Sequence, residues 1–342
     1  MKHDRKHRPK PPGEAGSLHP RNLHRGRYDF DALMKTSPAL ATALRKNPHG
    51  DLSVDFADPE SVKLLNQALL RHFYQVDSWD IPPGYLCPPI PGRSDYLHYA
   101  ADLLAETPGN PGNTIPRGRR IRVLDVGMGA NCIYPIVGSR LYGWQFVGTD
   151  IDPVAVRSAK TIADSNPVLK GRIECRLQPS EQNIFRGVIG DREAFDLMLC
   201  NPPFHASLAE ATAGTRQKVR NLAASAKKKG TRVSSEGKPQ AAGGLSLNFG
   251  GQGAELWCPG GEAAFIGRMI AESAEFGEQC LWFSSLVSRS DNLPGIYRHL
   301  KKAGARDVRT MEMHQGQKIT RAVAWTFLAP EQQADWCQTR WQ

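Results

Sequence analysis

No run in the 342-residue chain is apolar over a length that spans a bilayer, and the opening Met1-Lys2-His3-Asp4-Arg5-Lys6 develops no signal-peptide segment. These absences argue against a membrane or secreted setting and favour a cytoplasmic one. The seven cysteines, Cys87, Cys132, Cys175, Cys200, Cys258, Cys280 and Cys337, stand singly. Without a Cys-x-x-Cys pair or a cysteine–histidine cluster at zinc spacing, neither a disulfide framework nor a metal is expected, and the thiols are expected to be reduced. Internal repeats and heptads are missing as well, which excludes a solenoid or coiled coil. Acids are in deficit: 34 Asp and Glu against 44 Lys and Arg give a net charge of +10. Such a balance favours an anionic partner, nucleic acid most simply, although charge alone does not choose between RNA, DNA and an acidic membrane face.

The remaining composition, 40% hydrophobic and 23% charged, is that of a soluble globular protein with enough chain for a full core. Residues 1–27 carry eight Lys and Arg against Asp4 and Glu14, with Pro and Gly interspersed, and read as a largely disordered basic arm. A helical module follows over 28–92. Within it Asp58-Pro59-Glu60 opens a helix whose Val62, Leu65, Leu69 and Phe73 share one face through about Tyr74. Pro82, Pro83, Pro88, Pro89 and Pro91 make 80–92 a stiff connector, and helix resumes at Ser94.

The main domain spans 93–330, with a C-terminal tail at 331–342. Ile121 to Val126 is a buried strand running into Gly127-Met128-Gly129-Ala130-Asn131, a turn that lets backbone amides approach a ligand. Trp144 to Asp150 is a second strand, and its terminal carboxylate stands at the distance expected for ribose hydroxyls. Strands at 172–177 and 195–200 follow. The last delivers Asn201-Pro202-Pro203-Phe204, in which two prolines stop the strand and stiffen a turn holding an amide beside an aromatic ring. Residues 206–253 form a basic insertion, expected to be flexible and to grip substrate. Alternating strands and helices ending on a strand pair predict an α/β fold: a mostly parallel sheet with one antiparallel member.

The glycine turn of Asp125 to Gly129, the acid at Asp150 and Asn201-Pro202-Pro203-Phe204 resemble a class I, Rossmann-like S-adenosylmethionine-dependent methyltransferase acting on a planar amine. Ile90-Pro91-Gly92-Arg93-Ser94-Asp95-Tyr96-Leu97-His98-Tyr99, Gly129 to Pro135, Gly260-Gly261-Glu262 and Gln315-Gly316-Gln317 narrow this further. They resemble the bacterial large-subunit ribosomal RNA adenine-N6 methyltransferase family called RlmF and its eukaryotic relative, methyltransferase-like sixteen, from about Leu18 to Leu328.

The resemblance implies a seven-stranded sheet and an N-terminal module that binds RNA. Its cofactor is S-adenosylmethionine, with S-adenosylhomocysteine as product and no metal, and its partner is ribosomal RNA, modified at adenine 1618. A monomer is expected, with no membrane and no obligate protein partner. The donor site would comprise Arg93 on the methionine carboxylate, Asp125, Gly127, Gly129, Asn131, Asp150 on the ribose, and Asn201. Asn201, Pro202, Pro203 and Phe204 would be the catalytic set. From the residues alone, methylation of DNA adenine or of a protein amide stays open beside RNA, as does a non-catalytic RNA-binding scaffold.

Overall fold

The apolar runs become the central strands of one seven-stranded sheet, because each is buried on both faces and has only its neighbours' backbones to satisfy its amides. In the computed structural model, which describes residues 17–47, 50–207, 253–315 and 318–341, the chain first forms α1 (Phe30–Thr36), a short antiparallel pair β1 (Leu44–Lys46) and β2 (Leu52–Val54), α2 (Pro59–Tyr74) and α3 (Ile90–Ala105). The alternating part is β3 (Arg122–Val126), α4 (Ile133–Tyr142), β4 (Gln145–Asp150), α5 (Pro153–Ser165), β5 (Ile173–Leu177) and β6 (Phe195–Cys200). After the insertion come α6 (Gly253–Leu256), α7 (Gly261–Ser273), β7 (Cys280–Val287), α8 (Leu293–Ala303), β8 (Asp307–Gln315), β9 (Lys318–Thr326) and α9 (Pro330–Arg340). Expectations for residues 1–16, for 208–252 and for Gly316-Gln317 lie outside the described residues.

The sheet order is β5-β4-β3-β6-β7-β9-β8, with β9 antiparallel to both β7 and β8 and every other pairing parallel. This is the expected mostly parallel sheet with one antiparallel strand. From β3 the chain winds outward through β4 to β5, then returns to place β6 on the other side of β3. The strand order therefore reverses between β3 and β6, where doubly wound sheets open a crevice beyond their carboxyl ends. One sheet face buries a cluster that joins Val123, Leu197 and Leu199 to α3, α4 and the 33–90 segment. The other face packs Leu124, Met198 and Phe283 against Ile266, Met269 and Ile296 of α7 and α8.

Three boundaries differ from the sequence reading. Helix α3 begins at Ile90, four residues early, because Pro91 occupies its first turn, where a missing N–H costs nothing; Arg93 is thereby helical. The arm is anchored from residue 19: His19 N and Asn22 Nδ2 both donate to Asp95 Oδ1, at 2.7 and 2.9 Å, and Arg21 pairs with Asp102 at 2.7 Å. The C-terminal segment is the helix α9, and the indole N–H groups of Trp336 and Trp341 donate to the buried Asp196 Oδ1 at 2.8 and 2.7 Å. In α2, Asp58 caps the helix as expected, and Val62, Leu65 and Leu69 are buried while Phe73 is half-buried. Among the described residues, no helix is long and apolar enough to cross a membrane.

Candidate active site

At the switch between β3 and β6 lies a cavity of about 760 Å³, within the range of small-molecule sites. The turn after β3 forms its floor. Gly127 and Gly129 hold φ of 73° and 64°, a left-handed conformation that side chains with a Cβ rarely adopt. A Cβ on Gly129 would also stand 3.1 Å from Asn131 Nδ2. Three amides tie this turn to the end of β4: Gly127 N and Met128 N donate to the Thr149 carbonyl at 2.9 and 3.0 Å, and Gly129 N donates to Asp150 Oδ2 at 3.0 Å. Asp150 Oδ1 accepts Asp152 N at 2.9 Å. Its carboxylate is thus fixed by backbone, with lone pairs left for a ligand, and burial raises its pKa. Asn131 caps the next turn through Ile133 N, at 3.1 Å.

Arg93, from the first turn of α3, reaches the cavity and donates to the Tyr134 hydroxyl at 2.9 Å. Behind the wall, Asp125 is fully buried and neither carboxylate oxygen has a hydrogen-bond partner among the described residues. Burial, followed by the nearby Asp150, pushes its pKa up to about 8, with Arg93 pulling the other way. Opposite, at the end of β6, the Asn201 side chain faces the cavity, and its Oδ1 is buried without a hydrogen-bond partner among the described residues. An amide oxygen left in that state costs free energy unless a ligand supplies the donor.

The structure therefore brings Arg93, Gly127, Gly129, Asn131, Asp150, Asn201 and Pro203 to one cavity. It does not place Asp125, Pro202 or Phe204 on the lining; Pro202 is buried, and Phe204 is half-buried with no aromatic ring partner among the described residues. Sequence reasoning missed two further walls. One is the irregular segment after β5, where Gln178, Asn183 and Ile184 line the cavity. It is held from α7 by Glu272, whose carboxylate accepts Ile184 N, Phe185 N and Arg186 N at 2.9, 2.9 and 2.8 Å. The other comprises Glu255, Trp257, Phe265 and Arg268. An aromatic residue just before Gly260-Gly261 was its only signal. The head of α7 is fixed by Glu262, which accepts Ser288 N and Asn292 Nδ2, each at 2.6 Å.

Residues 13–329 match a family model described as RNA methyltransferase. The chain is 57% identical over 339 residues to the ribosomal RNA large subunit methyltransferase F of Photobacterium profundum, covering 97% of this chain and 98% of the relative. It is 54% identical to the protein of that name from Serratia proteamaculans, covering 97% and 94%. The chain belongs to the ribosomal RNA large subunit methyltransferase F family. Solved structures agree with a methyltransferase fold. The human METTL16 catalytic domain bound to a MAT2A 3′UTR hairpin has a TM-score of 0.71 at 29% identity, covering 91% of this chain and 96% of that one. The human METTL16 N-terminal domain with SAH has a TM-score of 0.67 at 26% identity, covering 92% and 100%. The fold is that of a class I S-adenosylmethionine-dependent methyltransferase, and the chain is an enzyme of the RNA methyltransferase class. The glycine cradle, the ribose-height carboxylate, the guanidinium and the orphaned amide oxygen fit a nucleoside methyl donor and an amine acceptor side by side.

Proposed function

We propose that this chain transfers a methyl group from S-adenosylmethionine to N6 of an adenine in large-subunit ribosomal RNA, leaving S-adenosylhomocysteine. The position implied by its family resemblance is adenine 1618. The observation that carries the reading is Asn201 Oδ1, a buried acceptor with no hydrogen-bond partner among the described residues, on a residue that lines the glycine-floored cavity. An exocyclic amine supplies the missing N–H. Among the bases, adenine, cytosine and guanine carry one; the adenine choice rests on the relatives.

Adenine N6 is a poor nucleophile because its lone pair is delocalised into the ring. The Asn201 oxygen accepts one N6 hydrogen, and the Pro202 carbonyl accepts the other. With both hydrogens held, the nitrogen pyramidalises and its lone pair is aimed across the cavity. Pro202 and Pro203 keep that grip rigid, since each has a fixed φ and no amide of its own to compete. Phe204 stacks on the base. The bound donor supplies an electrophilic methyl group on a sulfonium sulfur. Arg93 holds its carboxylate with a bidentate fork, and Asp150 accepts its ribose hydroxyls. Asp125, behind the wall, holds its proton near neutral pH and so adds no second negative charge beside Asp150. Once nitrogen is methylated its extra proton is acidic and passes to water, so no strong base is needed. Catalysis is then orientation and matched electrostatics.

A paired adenine cannot enter such a cavity, so the target is unpaired or flipped out. The enzyme is read as a monomer, acting in the bacterial cytoplasm where its RNA is. The test is to map methylated adenines in ribosomal RNA from cells with the gene, without it, and with Asn201→Ala. One large-subunit adenine is expected to lose its methyl group in the last two, while the purified variant still binds S-adenosylhomocysteine. Near-normal methylation with the variant overturns the role of Asn201; an unchanged RNA methylation pattern in the deletion overturns the whole reading.

A further inference from the structure

On the far side of Arg268 from the cavity, a second concavity of about 550 Å³ runs between α7 and α8. Along α7 its lining is Ala263, Ala264, Gly267, Ala271 and Ala274 with Ile270, so most of that wall carries small side chains. A Cβ on Gly267 would already stand 3.5 Å from the His299 ring, and any longer side chain would fill the channel. The rims carry Arg268, His299 and Lys302, and no acid among the described residues lines it. The nearby acids are turned elsewhere: Glu272 caps backbone amides inside the fold and Glu275 pairs with Arg186.

The sequence of α8 explains the charge. Ile296 and Leu300 form its buried stripe, which leaves Arg298, His299, Lys301 and Lys302 exposed. None of Arg298, Lys301 and Lys302 makes an ion pair with a described residue, unlike Arg122, Arg176 and Arg186 elsewhere on the surface. Arg268 lines both concavities, so the groove adjoins the cavity at that side chain. Its lining runs from Ala263 to Ala274 along α7, roughly 16 Å at the helical rise.

We propose that this groove carries the single-stranded RNA next to the target adenine, with Arg268 and Lys302 of its lining, and Arg298 one helical turn before Lys302 on the exposed side of α8, on its phosphates. The inference rests on the reading of the chain as an RNA methyltransferase. An extended nucleic-acid strand matches a shallow, small-residue channel flanked by unpaired cations, because phosphates need charge and the bases need room. It also gives the flipped adenine a defined exit path for its neighbour.

The test uses the double variant Arg298→Ala/Lys302→Ala, whose residues lie on the surface outside the cavity. RNA binding is measured over a series of salt concentrations with a ribosomal RNA fragment spanning the methylated site. Removing two phosphate contacts on a single strand lowers the slope of log affinity against log salt by about 1.4 and weakens binding about tenfold at low salt. S-adenosylhomocysteine affinity and melting temperature are expected to stay at wild-type values. Fragments trimmed on the 5′ or the 3′ side of the target identify the flank, since one trimmed RNA no longer distinguishes variant from wild type. An unchanged salt slope overturns the groove assignment, including when methylation falls only on ribosomal particles, which would instead indicate a protein contact. If deleting the gene leaves the methylation pattern of ribosomal RNA unchanged, the reading of function fails and not the groove alone.

Discussion

Asp125→Asn exchanges a carboxyl group for an amide of the same shape where neither carboxyl oxygen has a hydrogen-bond partner among the described residues. In the unfolded chain this carboxyl titrates near 3.8, whereas in the fold burial and Asp150 push it up to about 8. Between those values the native state holds a proton that the unfolded state has lost. The stability it contributes is fully present below the unfolded pKa and is lost as pH rises through the folded one. The slope is about 1.4 kcal/mol per pH unit, so this residue alone removes about 3 kcal/mol between pH 5 and 7. The amide in the variant does not titrate. Urea unfolding of the donor-free proteins across this range is therefore expected to show the variant gaining on the wild type by about that amount. The other raised carboxyls, Asp95, Asp150 and Asp196, are common to both proteins and cancel in the difference. Parallel profiles would refute the argument, because they would mean that Asp125 is already ionised in the fold.

Glu272→Gln replaces an acceptor of three backbone N–H groups by an amide that turns a donor towards one of them. The wall carrying Asn183 and Ile184 loosens, and donor affinity by calorimetry falls about tenfold, about 1.4 kcal/mol, with kcat at saturating donor nearly unchanged; equal affinity would show that this wall does not touch the donor. Arg93→Lys keeps the charge and loses the fork, so S-adenosylhomocysteine binding weakens by about tenfold or more. If that variant instead loses stability at unchanged affinity, Arg93 serves only to pack on Tyr134.

The sheet was legible in the sequence because its central strands are short apolar runs ended by residues with a task. Val126 runs into glycines, Thr149 into Asp150, and Cys200 into Asn201. The same logic places the glycine turn, Asp150 and Asn201 at one edge, and the structure brings them to one cavity. What stayed hidden depends on distant partners. His19 and Arg21 look like members of a solvated basic arm until α3 presents Asp95 and Asp102, more than seventy residues later. The polar 331–342 segment has no apolar stripe, and its order comes from two indoles meeting a buried Asp196. The prolines at 88, 89 and 91 suggested a connector, although the last sits where a helix tolerates it. Gln178 to Ile184 shows no period at all, since Glu272 and not a backbone ladder holds it in place.

His205 and Trp257 form a parallel bridge, with His205 N on the Leu256 carbonyl and Cys258 N on the His205 carbonyl, at 3.0 and 3.1 Å. Among the described residues, this bridge joins the chain before and after the 208–252 interval. The cost of closing a chain segment grows slowly with its length, about 0.6 kcal/mol per doubling, so stability constrains the length of that interval only weakly. That interval is where insertions and deletions are expected to accumulate among relatives. The bridge itself has no such latitude, because one side follows Phe204 and the other carries a cavity wall. Relatives can thus differ in the length of this interval while the cavity wall beside the bridge stays unchanged.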